Sequence, residues 1–259
     1  MDFGIAGRKA IVCASSKGLG LACATSLARE GCVVFINGRD RDRLDAAVEA
    51  IRAATGAVAT PVQADINTDK GREALSGACP TPDILVNNNE GPPPGKLADW
   101  DRAAWMAGLE ANMLAPIFLI KAVLPGMRGR KFGRIVNITS AMVKSPSPTM
   151  GLSTAARAGL TALCKSVSRD VVGDNVTINN LLPERFDTDR QRFMAERIMK
   201  AKGISYEEAR AEIVATIEAK RLGQPYEFGD ACAFLCSAQA GFISGQNLQL
   251  DGGSYRGLI

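Results

Sequence analysis

The sequence predicts an α/β fold, a single domain on a doubly wound parallel sheet of about seven strands. Three observations carry this. Short apolar runs alternate with helix-length segments from end to end, the mark of β-α-β units. The first run leads into a glycine-rich turn followed by a helical pattern. A chain of 259 residues, 46% hydrophobic and 22% charged, is long enough for one sizeable core and has no linker to divide it.

In chain order, the predicted strands are 9–14, 33–37, 58–63, 84–88, 134–139, 177–182 and 247–250. Their centres are runs such as Ala10-Ile11-Val12, Val34-Phe35-Ile36, Ile84-Leu85-Val86 and Ile135-Val136. Helical patterns fill the gaps, among them 18–30, 41–55, 102–127, 152–172 and 228–237. Pro92-Pro93-Pro94-Gly95 reads as a rigid loop, because proline lacks the N–H that a helix interior needs. One insertion breaks the rhythm: 187–220 is charged and helical. Ligands of open α/β sheets bind outside the carboxyl ends of the strands, so this segment is placed as a lid or substrate wall; a solvated helical hairpin is the plainer alternative.

Composition excludes several functions. The net charge is only +4, and its cations are scattered among acids, which argues against nucleic acid or a membrane surface as partner. The N-terminal segment lacks the apolar core of a signal peptide, and no apolar run approaches a membrane span. Seven cysteines without a Cys-x-x-Cys pair read as reduced thiols of a cytoplasmic protein, and no metal site is expected. The chain has no histidine, which removes Ser-His-Asp and Cys-His catalysis. Proton transfer is left to Ser, Tyr, Lys, Asp, Glu or water.

The first strand runs into Cys13-Ala14-Ser15-Ser16-Lys17-Gly18-Leu19-Gly20. Phosphates need backbone N–H groups at a helix N-terminus and room for close approach; Gly18 and Gly20 supply the room, and Ser15 and Ser16 offer hydroxyls. The second strand ends in Asn37-Gly38-Arg39, without the carboxylate that would hold the ribose 2′-hydroxyl of NAD. Arg39 suits a 2′-phosphate, with Lys17 as a second cation, so NADP(H) is the expected cofactor.

These features resemble the short-chain dehydrogenase/reductase family, a Rossmann-type fold, over nearly the whole chain. The family's Thr-Gly-x-x-x-Gly-x-Gly aligns its leading pair with Cys13 and Ala14. The resemblance implies that Asp65-Ile66 contacts the adenine, that Asn87 begins the strand-four motif, and that Leu19, Pro183 and Thr188 also border the cofactor. The family's Asn-Ser-Tyr-Lys set falls on Asn112, Ser140, Ser153 and Arg157. Two members are therefore replaced: Ser153 lacks the acidity of a phenol, and Arg157 can still hydrogen-bond the ribose of the cofactor and supply positive charge but does not shuttle a proton. Glu90 and Glu184 stand where glycines are usual, and Lys144 follows Ser140. They form either a rebuilt acid–base set, with Glu90 as a speculative proton donor, or solvated side chains.

Of the tyrosines, Tyr206, Tyr226 and Tyr255, the first is the one to test as a stand-in, although a helix anchor inside the insertion is its plainer role. The resemblance implies an NADPH-dependent reductase, like 3-oxoacyl-carrier-protein reductases, acting on a small-molecule or acyl-carrier-linked carbonyl compound. The alternatives are a relative that binds the cofactor without turnover and a non-redox enzyme on this scaffold. A homotetramer or homodimer is implied, built on helices 102–127 and 152–172.

Overall fold

The computed structural model describes residues 2–258; Met1 and Ile259, the ends of the expected 1–259 domain, lie outside the described residues. The sheet has seven strands, β1 (Lys9–Val12), β2 (Val33–Gly38), β3 (Thr60–Gln63), β4 (Ile84–Asn87), β5 (Gly133–Ile138), β6 (Val176–Pro183) and β7 (Asn247–Leu250). All pair in parallel in the order β3-β2-β1-β4-β5-β6-β7. The order reverses between β1 and β4, and that crevice is where an open sheet of this kind binds ligands. The expected strand ends differ by one or two residues: β1 stops at Val12, because Cys13 and Ala14 already turn toward the helix, and β3 begins at Thr60.

The helices are α1 (Gly18–Arg29), α2 (Arg41–Thr55), α3 (Asp69–Ala78), α4 (Arg102–Leu109), α5 (Ala115–Gly129), α6 (Gly151–Val171), α7 (Asp189–Lys202), α8 (Tyr206–Ala215) and α9 (Pro225–Cys236). Local chemistry sets several starts. The side chains of Asp40, Thr68 and Asp101 accept hydrogen bonds from backbone N–H groups of Arg43, Gly71 and Ala104, which cap α2, α3 and α4. Gly71 is required there, since a Cβ would fall 1.9 Å from the Asp65 carbonyl oxygen.

The expected helix 102–127 is not uniform. Glu110–Leu114 forms a π turn between α4 and α5. Pro116 has no N–H to close an ordinary turn on the Asn112 carbonyl, and its ring crowds that oxygen, so the helix widens there. The combined stretch Arg102–Gly129 is long and apolar enough to cross a membrane by length and composition, which corrects the expectation that no run approaches that size. Its residues Leu119, Ile120, Val123 and Met127 pack into the core beneath the sheet, as in a core helix of a globular domain.

Helices cover both faces of the sheet. One core cluster joins Val12, Leu27, Ile36, Val86 and Phe228; the other joins Ile11, Leu85, Leu119, Ile135 and Leu160. The insertion 187–220 folds as the pair α7 and α8 around its own small core of Ala195, Ala209, Ile213, Ile217 and Leu222. Arg210 of α8 grips Asp187 at 3.0 and 2.6 Å, fixing this pair to the end of the segment that follows β6.

Candidate active site

The turn after β1 is held rigidly. Asn88 Nδ2 donates to the Ala14 carbonyl at 3.0 Å, and a Cβ on Gly20 would lie 2.5 Å from that same oxygen. Ala14 itself has φ +43°, the left-handed region in which glycine is at ease and alanine is strained. Gly18 is also left-handed, and the space above it is open except for the Thr188 methyl 3.9 Å from its Cβ position. No side chain caps α1, and its first turn has no acidic residue, so the N–H groups at this end are free to meet an anion.

Ser15 corrects an expectation. It is fully buried; its hydroxyl donates to the Val12 carbonyl at 2.6 Å and accepts from Asn37 N–H at 3.0 Å. It is a strut between β1 and β2, with no proton left for a phosphate. Ser16 is half-exposed and faces the loop opening beside Gly38. The two expected cations are both exposed and carry carboxylate partners: Arg39 meets Glu90 at 3.1 Å, and Lys17 meets Asp189 at 3.6 Å. Glu90 matches the solvated one of its two expected readings. Its carboxylate reaches sideways over the end of β1 to Arg39 and is mostly exposed.

Asp65 caps its own turn through Asn67 N–H at 3.0 Å; the Ile66 side chain lies in the core and its carbonyl accepts from Arg72 Nη1 at 2.8 Å. Leu19 packs on the core from α1, and Pro183 closes β6 opposite Leu250. Asn87 is not directed at the crevice. It starts a ladder that no single motif shows: Asn87 donates to Asn137, Asn137 to Asn180 and Asn180 to Asn247, at 2.9, 2.9 and 2.8 Å, one residue from each of β4 to β7 in register. The signal was present as an asparagine in four strands, but only the register reveals that they touch.

The residues expected at the reaction centre lie beyond β4 and β5. Ser140 lies two residues past the end of β5, half-buried, and its hydroxyl oxygen accepts from Met142 N–H at 3.2 Å. Asn112 sits in the π turn and donates weakly, at 3.4 Å, to the carbonyls of Glu90 and Gly108. Ser153 and Arg157 are one turn apart on α6, both buried, and Arg157 Nη1 donates to Ser153 Oγ. Burial, and then the nearby Arg190 charge, bring the Arg157 guanidinium down to about 10. A cavity of about 450 Å³ opens beside Asn112, bordered by Pro92, Trp100, Gly108 and Leu152.

A family model described as Enoyl-(Acyl carrier protein) reductase matches residues 13–255. The chain belongs to the short-chain dehydrogenase/reductase family. It is 31% identical to the NADPH-dependent reductase BacG of Bacillus subtilis, over 97% of this chain and 99% of that one. It superposes on L-sorbose reductase from Gluconobacter frateurii, solved with NADPH and L-sorbose, with a TM-score of 0.93, 27% identity and full coverage of both chains. A 3-oxoacyl (acyl-carrier-protein) reductase from Agrobacterium tumefaciens with NADP bound gives a TM-score of 0.88 at 31% identity, covering 97% of this chain and 96% of that one.

Of its two expected roles, Tyr206 takes the plainer one. Tyr206 is an anchor: it packs on the α7–α8 core and hydrogen-bonds Arg210. Tyr255 instead reaches the rim, where the Lys144 ammonium stands 5.4 Å from its ring centre. Glu184, on the same rim, is half-buried among Arg185, Asp251 and Ser254; burial raises its proton affinity.

Proposed function

We propose that this protein is an NADPH-dependent oxidoreductase that reduces a keto group on a small-molecule or acyl-carrier-linked substrate. The observation that carries this reading is the uncapped, acid-free N-terminus of α1 behind a glycine-lined turn, flanked by Lys17 and Arg39. Backbone N–H groups from Ser16 to Gly20 hold a pyrophosphate there. Arg39 exchanges Glu90 for the 2′-phosphate, because a fork binding a dianion outcompetes a solvated carboxylate. NADPH, when bound, supplies the hydride.

The remaining work falls to this chain's own side chains. Ser140 keeps its hydroxyl proton available to the carbonyl oxygen, because its oxygen is already engaged by Met142 N–H. Ser153 is a rebuilt proton donor: Arg157 donates into its oxygen, which polarises the O–H and makes it a better acid than a free alcohol. The buried guanidinium then opposes the negative charge that develops on the substrate oxygen. Arg190 of α7 donates to the Pro92 carbonyl at 3.2 Å, so the α7–α8 insertion serves as the lid.

A cytoplasmic location is part of the proposal, supported by seven free, buried cysteines. So is a homodimer or homotetramer, supported by exposed Met106, Phe118 and Leu163 on α4, α5 and α6.

The test is purified protein mixed with NADPH and a panel of keto compounds. Loss of the reduced nicotinamide absorbance upholds the reading. Tight NADPH binding with no oxidation across the panel, and no effect of Ser140→Ala, would leave a cofactor-binding module in its place.

A further inference from the structure

Two cavities of similar size differ in their lining. One, of about 420 Å³, lies along α1 and is bordered by Lys17, Arg29, Asp187 and Asp189. The other, the cavity of about 450 Å³ beside Asn112, has no lysine or arginine on its border among the described residues. Trp100 and Pro93, from the segment after β4, and Ala104 and Gly108 of α4 make up much of its wall. Neither Ser140, Ser153 nor any residue of α7 or α8 borders it, so a molecule held here is not the one whose carbonyl meets those hydroxyls.

The Trp100 indole is a fixed wall. A Cβ on Gly95 would lie 2.7 Å from its Nε1, and one on Gly151 would lie 2.6 Å from its Cζ3, so the ring is held between two glycines. Trp105 meets it edge to face, with 5.9 Å between ring centres. Gly95 N–H donates to the Thr149 carbonyl at 2.9 Å, which ties the proline loop to the turn before α6. The hollow is therefore formed before any ligand enters. Asn112 brings an open acceptor to it. This side chain is only 4% exposed, and its Nδ2 donates at 3.4 Å to the carbonyls of Glu90 and Gly108. Its Oδ1 accepts nothing among the described residues, yet it is not sealed from open space. A buried amide oxygen in that state gains from a ligand N–H or O–H. Charge sets the rest. Asp99, fixed by Lys96 N–H at 2.7 Å, borders the cavity and meets no cation among the described residues; Glu90, also on the border, is already held by Arg39. An anion finds no partner there.

We propose that this cavity is a site for a second small molecule, an uncharged aromatic compound with a hydroxyl or N–H donor. Its ring packs against the Trp100 indole and the proline loop, and its donor meets Asn112 Oδ1. The site stands apart from the reductase reading, because it needs neither the hydride nor the proton donor.

Calorimetric titration of NADP⁺-loaded protein with 2-naphthol, 2-methoxynaphthalene and 2-naphthoate tests this without requiring turnover. The naphthol is expected to bind about 3- to 10-fold more tightly than its methyl ether, which has no donor, and at least about 10-fold more tightly than the anion. Ala104→Phe, which fills the hollow from α4, abolishes naphthol binding and leaves NADP⁺ binding unchanged. Asn112→Ala brings the naphthol and its ether to near equality; if that variant does not fold, Ala104→Phe decides the matter. Absence of naphthol binding, equal binding of the naphthoate, or binding that survives Ala104→Phe overturns the proposal. Naphthol that competes with a keto compound for turnover also overturns it, because the hollow then belongs to the substrate. So does naphthol that binds only a monomeric Phe118→Glu variant, as followed by sedimentation, because a second copy of the chain then fills the hollow. If no keto compound oxidises NADPH while naphthol still binds selectively, the reductase reading fails and this site stands.

Discussion

Ala14 shows how one side chain carries the cost of a site. The turn needs a left-handed residue at the place where the family has glycine, and alanine occupies it at φ +43°. Non-glycine residues pay roughly 1–2 kcal/mol for that region. Ala14→Gly is therefore expected to raise stability by about 1 kcal/mol and the melting midpoint by roughly 3 °C, as read by calorimetry. A drop in the midpoint would show that the turn is not strained. Ser153 and Arg157 carry the second expectation. If the missing phenol limits the reaction, Ser153→Tyr with Arg157→Lys raises kcat roughly 100- to 10,000-fold in the NADPH oxidation assay. An unchanged kcat would mean that the present hydroxyl is already an adequate donor. These substitutions were legible in the sequence because a motif exposes its own gaps. The commitments of Ser15 and Glu90 were not, because both depend on partners more than twenty residues away, Asn37 and Arg39.

Strands and helices bring such distant residues into contact. The sheet and its order followed from apolar runs, but the asparagine ladder depends on the register of four strands and so could not be read along the chain. Asn137 is its centre, donating to Asn180 and accepting from Asn87 with no water access. Asn137→Ala leaves two buried groups unpaired and is expected to cost about 2–5 kcal/mol, seen as a lower urea midpoint with an unchanged slope. The π turn has a similar lesson: Pro116 was visible, but the widened turn at Asn112 requires the helix to continue through the proline. The start of α9 gives a pH dependence. Glu227 takes two hydrogen bonds from Arg221 at 2.7 Å and one from Gln224 N–H, which lower its pKa from 4.5 to about 2. Its contribution is complete above about pH 4.5 and is lost as pH falls toward 2, because the unfolded carboxylate takes up its proton first. Glu227→Gln should flatten the acid limb of the stability curve over that window.

In the assembled molecule the expected dinucleotide groove lies over β1, β2 and β4, and the expected reaction centre lies beyond β5 and on α6. The molecule's exposed apolar residues on α4, α5 and α6 predict a dimer or tetramer in sedimentation, and Phe118→Glu should shift the population toward monomer. A wild-type chain that sediments only as monomer would remove that assembly from the account. The central claim is that the altered proton donor sits on an intact NADP site. Calorimetric titration with NADPH and NADH tests it most directly: the account predicts NADPH binding at least about 10-fold tighter, with the preference lost in Arg39→Ala. Equal affinity for the two, or binding of neither, would contradict it.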